Sequence, residues 1–225
     1  MAHKYQFSNI EAWALDTLRH LQTEHSKPIE AHSLIPVTEV AVLCDDAKLL
    51  QIVRPKWKSL IEENQDLSLA ISVFERLGIR DLNGLAYHAM MLQGRAKWNS
   101  DPLLTREQRI RLLSGYHVIS QICASLPSNH PKFLHHDYCG FNDECQKSWE
   151  SLWNGIIIAA AREKNDLFSK IACSIEIFNV LLEHPDSTYV RGQLNEYCSP
   201  LARQAIHDMS RDFEAQLPDF LQDVD

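Results

Sequence analysis

The chain has 225 residues, 45% of them apolar and 23% charged, with a formal net charge of −8. That is enough apolar material for a sizeable core, and it excludes wholesale disorder. Only seven glycines and no GxGxxG or GxxxxGKS/T run speak against a turn-rich barrel and against a phosphate loop, while the acidic balance speaks against nucleic acid, whose phosphates need clustered Lys and Arg.

The elements follow one another at helical period. "SNIEAWALDTLRHLQ" opens with Ser8 and Glu11 at capping-box spacing, and Ile10, Trp13, Ala14, Leu15 and Leu18 supply an apolar face. His20 and His25 near its end suit the helix dipole. "KPIEAHSLIP" reads as a linker stopped by Pro36. Thr38 is placed to cap "EVAVLCDDAKLL", which can extend through "QIVRPKWKSLIEEN", where Pro55 should kink or divide the run. "LSLAISVFERLG" follows, with Gly78 as its stop. "DLNGLAYHAMMLQGRAKW" carries Leu82, Leu85, Ala86, Ala89 and Met90 on one face. "TREQRIRLLSGYHVISQICASLP" starts with a second capping box, Thr105 and Gln108, and ends before Pro127.

Residues 127–141 form a long irregular stretch. After it, "DECQKSWESLWNGIIIAAAREK" sets Trp149, Leu152, Trp153 and Ile156 at i, i+3, i+4, i+7. "DLFSKIACSIEIFNVLLEH" has a broad apolar face and stops at Pro185. A short "STYVRGQLNEYC" precedes "SPLARQAIHDMSRDFEAQLPDFL", where Ser199 or Cys198 caps and Pro200 sits at an allowed early position. No strand-like alternation persists. The fold class is therefore all-α, with eight to ten helices in a multi-helix bundle or an irregular helical-hairpin array. Residues 1–126 make an N-terminal helical half, 127–141 the junction, and 142–225 a C-terminal half packed on the first in one continuous domain.

The longest apolar run, "GIIIAAA" at 155–161, is too short to span a bilayer. The N-terminus lacks the pattern of a secretory signal. Six scattered cysteines in apolar helical patterns read as reduced thiols rather than a disulfide framework, which points to an intracellular protein, cytoplasmic, nuclear or both.

Chemistry concentrates in "FLHHDYCGFNDECQKSW", residues 133–149. His135, His136, Cys139 and Cys145 are the donor types that Zn²⁺ accepts in a tetrahedron, and Cys198 or His130 can complete the shell if the fold brings them near. The same residues also suit two thiols packed at the mouth of a helix with the histidines facing solvent. A Cys–His nucleophile built on Cys145 lacks a third orienting group. The acid pairs Asp45/Asp46 and Glu62/Glu63 read as solvated surface. Arg106, Arg109 and Arg111 form a small basic patch balanced by neighbouring acids. The five tryptophans, Trp13, Trp57, Trp98, Trp149 and Trp153, read as core or core-edge anchors.

Several phrases, "KYQFSNIEAWALDTL", "IPVTEVAVLCDDAKLLQIVRPKWKSLI", "LSLAISVFERLGIRDLNGLAYHAMML" and "LLTREQRIRLLSGYHVIS", resemble the helical region that follows the BTB domain in BTB/POZ proteins of mushroom-forming fungi (basidiomycetes). The resemblance covers roughly residues 2 to 215, and "AHKYQFSNIEAWAL" is similar to the segment that joins a BTB fold to its helical extension. It implies an adaptor or scaffold role. The BTB domain itself is absent from this sequence, so dimerisation and cullin binding do not carry over. Members of this kind have a Cys-x2-His-x2-Cys arrangement before the Trp-containing helix; here Asn142 stands where that histidine would be, and His135 or His136 must replace it.

The expectation is a non-enzymatic protein–protein interaction module, with a protein partner rather than nucleic acid or membrane, and with no cofactor or one structural zinc. The alternative is a zinc-stabilised helical protein or a zinc-dependent enzyme with ligands among residues 135–145. No HExxH sequence or general base accompanies those ligands, which favours a structural metal over a catalytic one.

Overall fold

The computed structural model describes residues 8–24, 30–140, 142–164, 167–183, 194 and 197–221. Among them are ten α-helices and no strand: α1 (Ser8–Glu24), α2 (Ala31–Leu43), α3 (Ala47–Glu62), α4 (Leu67–Leu77), α5 (Arg80–Leu92), α6 (Arg95–Ser100), α7 (Arg106–Ser125), α8 (Asn142–Glu163), α9 (Leu167–Glu183) and α10 (Ser199–Gln216). Short 3₁₀ turns cover Asp137–Cys139 and Asp219–Leu221. The side chains of Ser8 and Glu11, His25, and most of the short segment at 187–198 lie outside the described residues. No described helix is long and apolar enough to cross a membrane.

The chain divides into two compact units, residues 1–113 with 217–225, and residues 114–216. The division differs from the expected one. The first part of α7 belongs to the first unit, the irregular stretch at 127–141 lies within the second, and the last segment returns to the first. Arg80 pairs with Asp219 at 2.7 Å. A Cβ on Gly84 would stand 3.0 Å from the Pro218 backbone, so the glycine permits that close approach.

In the first unit α3 packs against α1, α2 and α5, and α4 against α5. Trp57 is fully buried, edge-on to Phe74 with ring centroids 5.0 Å apart. Its indole N–H donates to Thr38 Oγ1 at 2.9 Å, and Thr38 donates in turn to Leu34 O at 2.7 Å. Thr38 is thus a core residue, not a cap. Helix α2 begins at Ala31, seven residues before it, and runs through Pro36. The proline removes a backbone donor, but Ala31, Leu34, Val37 and Ala41 bury one face and hold the helix together. Pro55 is likewise inside α3.

The break between α2 and α3 falls instead at Asp45–Asp46. Asp45 takes a left-handed backbone, φ 51°. Asp46, read from sequence as solvated, is buried and caps α3, accepting from Lys48 N and Leu49 N at 3.1 and 3.0 Å and from the Arg19 guanidinium. Trp13 departs from expectation in the other direction: it is 69% exposed. It lies two residues, about 200° around the helix, from Leu15, and so points away from the Leu15–Leu18–Arg19 face.

Two local signals hold as read. Gly78 ends α4 with φ +69°. Thr105 and Gln108 exchange both capping-box bonds, Thr105 N to Gln108 Oε1 at 2.9 Å and Gln108 N to Thr105 Oγ1 at 3.2 Å. The α7 arginines divide: Arg109 donates to the Trp98 and Asp101 carbonyls, and Arg111 pairs with Glu75 at 2.7 Å. Glu75 also accepts from Tyr87 Oη at 2.6 Å and Gln108 Nε2 at 2.8 Å. Burial and this carboxylate push the Tyr87 phenol well above its ordinary range.

In the second unit α9 packs on α8 and α10. Trp149, Trp153 and Phe178 are fully buried. Trp149 meets Phe178 edge-on at 5.7 Å and Trp153 at 5.9 Å. Their indole N–H groups pin the irregular segment: Trp153 donates to Leu126 O and Trp149 to Pro131 O, both at 2.8 Å. Phe133 packs edge-on against Trp149 at 5.8 Å. The segment that follows Phe133 is thereby set down at the start of α8.

Candidate metal centre

The anchored segment delivers His135 and, through the 3₁₀ turn, Cys139. Gly140 ends that turn with φ +67°, a backbone that a side chain would strain. Cys145 lies in the first turn of α8. Cys198 stands just before α10, its carbonyl accepting from Ala202 N at 2.9 Å, so it is the cap residue of that helix. One donor atom from each of His135, Cys139, Cys145 and Cys198 lies within 4.8 Å of every other. His135 Nδ1 is 3.8 Å from Cys139 Sγ and 3.6 Å from Cys198 Sγ. A tetrahedral zinc with Zn–S about 2.3 Å and Zn–N about 2.0–2.1 Å sets such edges at about 3.5–3.8 Å.

The three sulfurs are buried, Cys139 at 2%, Cys145 at 5% and Cys198 at 0% exposure. None of the six cysteines is in a disulfide. Burial pushes the Cys198 thiol up, while the His136 backbone N–H, which donates to it, acts in the opposite direction. A bound divalent cation reverses that balance and deprotonates coordinating thiols.

The imidazole is oriented from behind. His135 Nε2 lies 3.3 Å from Gln146 Oε1. Gln146 Nε2 donates to Glu150 Oε1 at 3.2 Å and to His130 Nε2 at 2.8 Å. Since a carboxylate only accepts, the amide is fixed with Oε1 toward His135, and Oε1 can only accept from Nε2–H. The neutral ring therefore carries its proton on Nε2 and turns a bare Nδ1 toward the sulfurs, the form a metal ligand needs.

Of the residues named from sequence, the structure brings together His135, Cys139 and Cys145, with Cys198 as the fourth donor. His136 is not among them: it is exposed, its Nδ1 accepts from Tyr138 N at 3.3 Å, and its ring stacks on Tyr138 and Tyr197 at 5.3 and 5.4 Å. Adjacent residues in this extended entry to the turn face opposite ways, so only one of the two histidines reaches the sulfurs. His130 serves behind the site through Gln146. Nothing in the sequence marks Gln146 for this role except its place one residue after Cys145. Comparison of the chain with protein-family models, with curated proteins and with solved structures finds no match.

Proposed function

We propose that this chain is a non-enzymatic protein-interaction module whose second unit is organised by one structural Zn²⁺ on His135, Cys139, Cys145 and Cys198. The observation that carries the reading is the convergence of four soft donors from three separate stretches of chain, with the histidine already oriented through Gln146. Three thiolates and an imidazole suit zinc among the available divalent ions, and a donor set this tight fits one ion. Four protein ligands complete a tetrahedron and leave no position for water or substrate, which supports a structural rather than a catalytic metal. When bound, zinc supplies cross-linking: it ties the 135–139 turn to the starts of α8 and α10. Reduced cysteines suit an intracellular setting, and the adaptor role implied by the BTB-associated resemblance belongs to the same proposal.

The test is elemental analysis of protein purified without chelator, paired with melting in EDTA. One zinc per chain and a lower melting temperature on chelation are expected. Sub-stoichiometric zinc with an unchanged melting temperature would remove the metal from the proposal.

A further inference from the structure

Behind the zinc ligands, hydrogen bonds through Gln146 end on a second, titratable ring. Gln146 Oε1 faces His135 Nε2 at 3.3 Å, while Gln146 Nε2 reaches Glu150 Oε1 at 3.2 Å and His130 Nε2 at 2.8 Å. The amide turns its oxygen to the ligand because its nitrogen has two acceptors on the other side. Glu150 accepts whenever it is ionised; His130 Nε2 accepts only while that ring is neutral. His130 itself stands five residues before His135 and outside the donor cluster.

A proton on His130 Nε2 reverses the contact. The ring then presents a donor to the amide hydrogens of Gln146, and it has a charge-assisted partner at hand in Glu150 Oε1, 3.7 Å away. With its nitrogen turned out, the amide no longer holds Oε1 toward His135. The ligand loses the acceptor that keeps its proton on Nε2, and a proton on Nδ1 blocks that nitrogen from a metal.

The surroundings of His130 suit this exchange. Its side chain is 17% exposed and lines a cleft of about 820 Å³ between its own segment and α10, through which solvent reaches the ring. The charged groups along that cleft are Lys132 on the same segment and Asp208 and Asp212 on α10. Arg211 pairs with both aspartates, at 2.9 and 3.9 Å, which leaves Glu150 on α8 as the counter-charge for an imidazolium.

We propose that His130 is a positioning residue that ties zinc retention to pH: neutral, it holds Gln146 and through it the His135 ligand; protonated, it withdraws to Glu150 and loosens the site. This latch rests on the zinc reading above and adds its regulation. The sign follows from linkage. Zinc prefers the form with one proton fewer, so affinity falls as pH drops from about 8 to 5, where imidazoles take up protons, beyond the loss that protonation of the thiolates causes by itself.

The experiment compares the full chain with His130→Gln, whose amide oxygen accepts from Gln146 but takes up no proton. Zinc affinity is measured against a chromophoric chelator at pH 8 and pH 5.5, and the ratio of the two proteins' affinities cancels the thiolates and the chelator. Near-equal affinities are expected at pH 8, and at pH 5.5 a parent about three- to tenfold weaker than the variant. Glu150→Gln, at an exposed position, should match the parent at pH 8 and lose less affinity in acid. A ratio that stays constant from pH 8 to 5.5, or an acid loss untouched by Glu150→Gln, overturns the latch and leaves the zinc reading standing. If His130→Gln melts far below the parent, Glu150→Gln alone decides. A chain that takes up no zinc at pH 8 overturns the zinc reading and the latch together.

Discussion

The two units are held by different means. In the first, the core is a set of helix faces around Trp57, and several polar groups within it pair with one another: Thr38 with Trp57, Asp46 with the α3 N-terminus and Arg19, and Glu75 with Tyr87, Gln108 and Arg111. In the second, Trp149, Trp153 and Phe178 make a comparable apolar centre. Yet this unit must also fix an irregular stretch between Ser125 and Asn142, where few backbone bonds do the work. Two indole N–H groups and the Cys/His cluster take over that task. Packing suffices where helices abut; where the chain is irregular, the indole hydrogen bonds and, under the reading proposed above, a bound zinc supply point cross-links.

The sharpest way to break this contrast is to deny the cluster the zinc proposed for it. Chelation, or Cys198→Ser, should take away stabilisation on the order of 10 kcal/mol, as judged from structural zinc sites. Hydrogen exchange should report it unevenly: protection falls at the starts of α8 and α10 and persists in α3–α5. Equal loss in both units would erase the distinction drawn here. His136→Ala should leave zinc stoichiometry at the parent value, because its ring is turned away from the sulfurs.

Next in size is Trp57→Ala, which empties a fully buried site and removes the indole donor to Thr38 Oγ1. A loss of about 3–5 kcal/mol is expected from denaturant unfolding. It should be the same with and without EDTA if the first unit owes nothing to zinc.

Gln146→Ala probes how the two means meet in one residue. Without an acceptor for Nε2–H, His135 loses its preferred tautomer and orientation, and zinc affinity should drop about 10–100-fold in competition with a chromophoric chelator. An unchanged affinity would mean that the sulfurs alone position the ion.

The smallest effect belongs to Asp46→Ala, at about 0.5–2 kcal/mol for a lost cap. Burial raises the Asp46 carboxyl, but Leu49 N–H, Arg19 and Lys48 N–H together outweigh it and hold the group below its usual 3.8. A carboxyl depressed in the folded state contributes stability above its unfolded value, and that contribution is lost as pH falls through the folded one. The stability gap between parent and variant should therefore be constant near neutrality and narrow below pH 3.8. A gap that widens in acid would contradict the assignment.

What sequence alone determined is what depends on neighbours in the chain. The 3.6-residue period marked α4, α7 and α8, Gly78 marked an end, and Thr105 with Gln108 marked a start, because a helix turn involves only residues three or four apart. His135, Cys139 and Cys145 were legible as donors for the same reason: they lie within eleven residues. Pro36 misled because a local rule about a missing N–H says nothing of the buried face of α2, and Pro55 likewise stands inside α3 without dividing it. Asp46 looked like surface because its partner Arg19 is 27 residues away. Tertiary structure decided which histidine turns inward, and it brought Cys198 to a site 63 residues from His135. No spacing along the chain encodes that meeting; it exists only once α8 and α10 have each packed on α9.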